Sequence, residues 1–168
     1  DWERGSTWTI DAWVYSTSWN ASYNTLYSWV PAGGYIQIFF NGSGQVKIAT
    51  NAEAEQTWTG GSVSLNQWSH VAIVSTSTDP NNTTVYINGT SVGTKTVTVP
   101  SGTSWGDVLI GWDTSTSRQF TGWMDEFRVS KDVARWTANF TTFDSPYSSG
   151  WNTTSDALLY VSASAATG

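Results

Sequence analysis

Phe120-Thr121-Gly122-Trp123-Met124-Asp125-Glu126-Phe127-Arg128-Val129-Ser130, continuing through Val133-Ala134-Arg135-Trp136 to Asn139-Phe140-Thr141, is the stretch that decides the reading of this chain. It predicts a strand that starts at a glycine, then one helical turn over Lys131 to Trp136, then an aromatic anchor. Side chains alternate along a strand, so Asp125 falls on the face of Trp123, Phe127 and Val129. A carboxylate turned toward a core needs hydrogen-bond partners or a metal, because burying it unpaired is costly.

Strand signals extend outward from there. Trp8 to Tyr15 alternates, with Trp8, Ile10, Ala12 and Val14 on one side and Thr9, Asp11, Trp13 and Tyr15 on the other. Further strands are expected at Leu26 to Val30, Tyr35 to Phe40, Gln45 to Ala49, Trp68 to Thr76, Thr84 to Asn88, Thr90 to Val99, Val108 to Trp112 and Ala157 to Val161. Asn41-Gly42-Ser43-Gly44 and Asn88-Gly89 are hairpin signals; the second fits a two-residue turn with positive φ at both positions. Short strands separated by turn chemistry indicate an all-β sandwich or barrel.

At 168 residues the chain is long enough for one domain with a substantial core. Only 12% of residues are charged, and seven Lys and Arg against thirteen Asp and Glu leave a net charge of −6. Without a basic cluster, nucleic acid is not an expected partner. No apolar run is long enough to span a membrane, so membrane insertion is not expected. There is no cysteine, and so neither a disulfide framework nor a thiolate metal site. Asn-x-Ser/Thr sequons occur at Asn20, Asn41, Asn81, Asn82, Asn88, Asn139 and Asn152, where glycosylation depends on a eukaryotic secretory route. The chain starts at Asp1 rather than Met, the mark of a processed chain or a fragment.

Five ordered segments resemble the laminin-G-like domains of the concanavalin A-like superfamily. They are Trp8-Thr9-Ile10-Asp11-Ala12-Trp13-Val14, Trp68-Ser69-His70-Val71-Ala72, Val85-Tyr86-Ile87-Asn88-Gly89, Val108-Leu109-Ile110-Gly111 and Gly122 to Glu126. The Ala-Arg-aromatic segment followed by Asn-Phe-Thr resembles the form found in bacteriophage and other viral tail or surface proteins. The resemblance implies a concanavalin A-like jelly-roll sandwich of two antiparallel sheets, with Trp68, His70, Gly89, Gly122 and Asp125 as structural positions. The chain is expected to divide into a sandwich over 1–144, a Ser/Thr/Gly/Pro/Asn-rich linker or long loop over 145–155, and a C-terminal strand over 156–168. That last segment would replace the strand such domains carry before the first motif, and would complete this sandwich or a neighbouring one.

The chemistry of the site is read against plainer alternatives. Related sandwich glucanases place paired carboxylates on one strand face. Here Glu53 and Glu55 sit in a polar loop or sheet edge, and Asp125 and Glu126 are adjacent, so no catalytic residue is assigned and an enzyme is not expected. His70, the one histidine, is read as a packed, hydrogen-bonded residue. Related domains often hold Ca²⁺ through oxygen ligands; Asp125, Asp79 and Asn81 are the candidates, with Asn82, Asp107 and Asp113 beside them. The plainer reading, in which Asp125 accepts backbone N–H bonds and 79–82 is a turn, is preferred.

Twelve Trp exceed what such a core needs. Trp19, Trp58, Trp105 and Trp112 are the candidate ligand-binding residues, with Trp29 and Trp151 also at loops or strand ends. Aromatic rings stack on sugar C–H faces, and at least one exposed platform is expected. The alternative is that these rings plug the sandwich ends or an oligomer interface.

The leading expectation is a non-enzymatic glycan-binding or adhesion domain of a virion or extracellular assembly. Its partners would be a polysaccharide or glycan and protein subunits of the same oligomeric assembly. One alternative is a structural subunit, such as a capsid decoration or a tail or filament component. The other is an accessory module of a secreted polysaccharide-degrading enzyme.

Overall fold

The computed structural model describes residues 7–30, 34–76, 81–98, 107–113, 117–142 and 156–158. These form eleven strands: β1 (Trp8–Ser16), β2 (Asn24–Val30), β3 (Ile36–Phe40), β4 (Val46–Thr50), β5 (Gln56–Thr57), β6 (Trp68–Ser75), β7 (Asn81–Ile87), β8 (Thr90–Val97), β9 (Asp107–Ile110), β10 (Gly122–Lys131) and β11 (Asp156–Leu158). One sheet has the order β11-β10-β1-β6-β7-β8 and the other β5-β4-β3-β2-β9, with all pairings antiparallel. The two-sheet architecture expected from the strand pattern is the one the chain adopts.

The core lies between the sheets. Trp8, Ile10, Ala12 and Val14 of β1 point into it, as their alternation dictates, and meet Val71 and Ile73 of β6. From the other sheet come Leu26, Tyr27 and Trp29, then Ile36, Ile38 and Phe40, then Val46 and Ile48. Tyr27 stacks against Phe127 across the layers, with centroids 6.2 Å apart. This apolar interface is the main source of stability, since each large buried side chain contributes roughly 1.5–3 kcal/mol.

The Asn88-Gly89 turn joins β7 to β8 with φ of 49° and 76°, as a two-residue hairpin requires. Gly89 is also obligatory for space: an added Cβ would lie 1.9 Å from the carbonyl oxygen of Phe140. Gly122, at φ 147°, opens β10 where a Cβ would lie 1.9 Å from the carbonyl oxygen of Tyr15. The hairpin over Asn41 to Gly44 is also present, closed by Gly44 N–H donating to Asn41 O at 2.9 Å.

Two expectations are corrected. Asp125 is exposed, not buried. Strands β1 and β10 pair Asp11 with Arg128 but Trp13 with Asp125, so two residues of β10 oppose Ala12. Glu126 takes up the extra residue in a left-handed conformation, φ 51°. The bulge reverses the phase of the strand: Phe127 and Val129 face the core, while Trp123 and Asp125 stand on the outer face. Next, residues 132–136 contain no helical turn. Asp132 turns the chain at φ 59°, and Thr9 holds the segment beyond it, donating to Val133 O at 2.8 Å and accepting from Arg135 N–H at 3.1 Å. These bonds replace those a helical turn would make. Trp68, read as a structural position, opens β6 and is 46% exposed.

Strand β11 pairs Leu158, Ala157 and Asp156 with Arg128, Val129 and Ser130, so the C-terminal segment adds to the β10 edge within the same chain. Residues 145–155 and 159–168 lie outside the described residues. Among the described residues no helix is long and apolar enough to cross a membrane.

Candidate functional site

The outer face of the six-stranded sheet is divided into a covered half and an open half. Over the covered half runs the segment from Val133 to Phe140. Its Ala134, Trp136 and Phe140 pack on Ala72, Val74 and Tyr86. Trp136 and Phe140 stack with centroids 4.1 Å apart, Asn139 Oδ1 accepts from Ser91 N–H at 2.9 Å, and Phe140 N–H donates to Gly89 O at 2.9 Å. The expected aromatic anchor is thus a strap, fastened to the β7–β8 turn.

Beneath the strap lies a buried carboxylate that the sequence pattern placed on the correct face but did not single out. Asp11 is wholly buried. Arg128 grips it with two bonds, Nε to Oδ1 at 3.0 Å and Nη2 to Oδ2 at 2.9 Å, and His70 Nε2 lies 3.2 Å from Oδ2. Burial alone would raise the carboxyl's pKa. The His70 hydrogen bond and the Arg128 charge outweigh it and hold Asp11 below its ordinary value. Trp136 and Phe140 stand edge-on to His70 at 5.5 and 5.8 Å. His70 is therefore the packed, hydrogen-bonded residue its strand predicts. The network is sealed by the strap and acts as a structural clasp.

The open half is built by register. Tyr15 of β1 is paired with Trp123 of β10 on one side and with Trp68 of β6 on the other. All three rings project outward. Tyr15 contacts Trp123 edge-to-face at 5.2 Å and Trp68 at 5.6 Å. Trp68 and Trp123 are each 46% exposed. The next row is Asp125–Trp13–His70, with Trp13 edge-on to His70 at 5.4 Å. Successive strands are about 4.8 Å apart, so the aromatic row spans roughly 10 Å. Leu65, also exposed, bridges to Ser16 beside this row. Exposed rings held rigidly by sheet register bind flat apolar faces with little loss of side-chain freedom.

The other sheet carries a polar cluster on its outer side. Tyr23 donates to Glu55 at 2.7 Å, Lys47 pairs with Glu55, and the Arg118 guanidinium lies 4.1 Å over the Tyr23 ring. The hydrogen bond to Glu55, with burial, raises the Tyr23 phenol. Burial works against Glu55, but the bonds from Lys47 and Tyr23 outweigh it and lower the carboxyl. Asp113 is buried and accepts from Arg118 Nη1 at 3.1 Å and Gln37 Nε2 at 3.2 Å. Both carboxylates are thus committed to protein partners.

The sequence candidates are scattered. Trp58 is a core residue rather than a loop platform: it is buried, and its indole donates to Gly93 O at 3.0 Å. Trp19 is half-buried against Phe40 and Phe120. Trp112 is 37% exposed just beyond β9. Trp105, Trp151 and Asp79 lie outside the described residues. Of the Ca²⁺ candidates, Asp125 is on β10 and Asn81 on β7, with β1 and β6 between them. Among the described residues no group of three or more His, Asp or Glu is placed to hold a metal ion. The open aromatic row was missed because Trp123 reads as a core-sized strand residue and Trp68 as a structural position of its strand; the both-faces aromatic pattern of Trp8 to Tyr15 was the available signal.

Residues 1–137 match the family described as the concanavalin A-like lectin/glucanases superfamily, and the chain belongs to it. Its fold is similar to that of a heptameric SAP-like pentraxin from Limulus polyphemus, at 18% identity and TM-score 0.57, covering 74% of this chain and 63% of that one. It is similar to a putative carbohydrate binding protein from Bacteroides ovatus, at 21% identity and TM-score 0.58, covering 78% and 38%. It is also similar to domain 4 of AbnA, an extracellular GH43 arabinanase from Geobacillus stearothermophilus solved with arabinotriose, at 18% identity and TM-score 0.58, covering 77% and 63%. The chain thus spans less than two thirds of each of these structures. No curated protein sequence matches it.

Proposed function

We propose that this domain is a non-catalytic glycan-binding or adhesion module that holds a saccharide chain against the Trp123–Tyr15–Trp68 row. The observation that carries this reading is the open half of the sheet: three contiguous outward rings, two of them nearly half exposed, on a face whose other half the protein covers with its own strap. Isolated exposed aromatics are ordinary on a protein surface, whereas a contiguous row marks a binding surface. The carbohydrate-binding protein and the arabinotriose complex among the similar folds support a saccharide as the occupant. The buried carboxylates Asp11 and Asp113 and the exposed Glu55 all have protein partners, which supports binding without hydrolysis. We assign the module to an extracellular or virion-surface assembly, on the strength of the viral-type Ala134-Arg135-Trp136 and Asn139-Phe140-Thr141 segment.

A second reading is an accessory module of a secreted polysaccharide-degrading enzyme, favoured by the similarity to a domain of an extracellular arabinanase. Both readings use the same surface. A glycan array followed by titration calorimetry tests them together: the intact domain should bind at least one polysaccharide at micromolar to millimolar affinity, and Trp68→Ala and Trp123→Ala should each abolish binding while the domain stays folded. Silence across the array, or binding that survives both substitutions, rejects the platform and favours a structural subunit that contacts protein only.

A further inference from the structure

We infer that the saccharide held on this platform is uncharged, and that Asp125 is the residue that reads its hydroxyl groups. This rests on the platform reading above.

The bulge at Glu126 is the starting observation. A non-glycine residue rarely adopts the left-handed region, and bulges re-aim side chains beside binding sites. Here the bulge brings Asp125 out of the core phase and into register with Trp13, one row from the aromatic triplet. The carboxylate is oriented by its own backbone: Oδ1 accepts from Glu126 N–H at 2.8 Å. Oδ2 has no protein partner among the described residues. An oriented, exposed carboxylate beside stacked rings accepts hydrogen bonds from sugar hydroxyls, and charge-assisted bonds are stronger than neutral ones.

The charge map sets the ligand class. Of the described cations, Lys47 and Arg118 belong to the other sheet. Lys95 is on the β8 edge, Arg128 is paired with Asp11, Lys131 lies opposite Trp8 at the far end of β1, and Arg135 donates to Ser130. None stands in the Trp123–Tyr15–Trp68 row or the Asp125–Trp13–His70 row. With a net charge of −6 and Asp125 at the platform, a uronate, sialylated or sulfated chain meets like charge with no cation among the described residues of either row to offset it. A neutral chain meets none.

Affinity electrophoresis and calorimetry at low salt would compare neutral probes (hydroxyethyl cellulose, linear arabinan, mannan, dextran) with anionic ones (polygalacturonate, dextran sulfate). The neutral probe that binds should do so at least about tenfold more tightly than any anionic probe. Asp125→Ala should weaken it about tenfold with an unchanged melting temperature. Asp125→Asn should narrow the neutral-to-anionic gap, as should added salt. An anionic probe bound as tightly, with the binding lost in Trp68→Ala, would overturn the neutral-ligand inference and leave the platform intact. Unchanged affinity and selectivity in Asp125→Asn would overturn the role of Asp125. Absence of binding to every probe would remove the platform and this inference with it.

Discussion

Arg128 and Asp11 face each other across β10 and β1 in a two-pronged pair, Nε to Oδ1 at 3.0 Å and Nη2 to Oδ2 at 2.9 Å, with the carboxylate wholly buried. Removing one partner leaves an uncompensated charge beneath the strap. Arg128→Ala should therefore destabilise the domain by about 3–5 kcal/mol. The double variant Asp11→Asn with Arg128→Met should recover much of that loss, because neither charge is then stranded. Urea unfolding of the three proteins checks this. A loss of less than about 1 kcal/mol in Arg128→Ala would remove the clasp from the stability account.

The same pair sets an acid limit. The folded protein holds Asp11 below its ordinary pKa, so the unfolded chain takes up a proton first as pH falls. The pair's contribution is complete above the unfolded-state value, about 4, and is lost as pH drops through the lower folded-state value. Stability should rise with pH across that acidic window. Urea midpoints between about pH 2 and 6 should show the rise in the native protein and a shallower one in the double variant.

Trp58 and Trp68 should separate fold from function. Trp58→Ala empties a core position and should cost about 3–5 kcal/mol. Trp68→Ala removes a half-exposed ring and should cost about 1 kcal/mol or less, yet lose glycan binding. Thermal melts paired with binding measurements on both variants decide the point; reversed rankings would place the platform at the other ring.

The strap should open when its anchor is cut. Phe140 stacks on Trp136 and contacts His70 and Tyr86. Phe140→Ala should cost about 2 kcal/mol, less than a fully buried Phe. Faster amide exchange should be confined to 133–140 and the Asn88-Gly89 turn, with the core strands protected. Exchange spread evenly through both sheets would mean the strap is not a separate unit.

Strand β11 covers part of the β10 edge at Arg128 to Ser130. Deleting residues 156–168 exposes backbone donors and acceptors there, and open edges promote association. The truncated domain should melt lower and self-associate more in analytical centrifugation. Unchanged stability and oligomeric state would make the segment a tail.

Much of the sandwich was legible because its signals are local. Trp8 to Val14 alternates with period two, and its apolar side is the core side in the fold. Asn88-Gly89 encodes its own turn, and Gly122 marks the start of β10. Less of the site was legible. Trp58 reads as an exposed loop residue until the β8 backbone supplies Gly93 O for its indole. Asp125 reads as buried because period-two counting carries it onto the face of Phe127.

The amino-acid order alone determined the all-β class, the hairpins, the inward set of β1 and the aromatic anchor on the strap, since each depends on residues a few positions apart. Tertiary structure decided which rings are open and which acid is buried. One inserted residue at Glu126 reverses the faces of β10. Whether such a bulge forms depends on how β10 fits against β1, more than a hundred residues earlier in the chain. The same pairing brings Tyr15 between Trp123 and Trp68 and sets Arg128 against Asp11, because neighbours across a sheet are chosen by strand register and not by closeness in sequence.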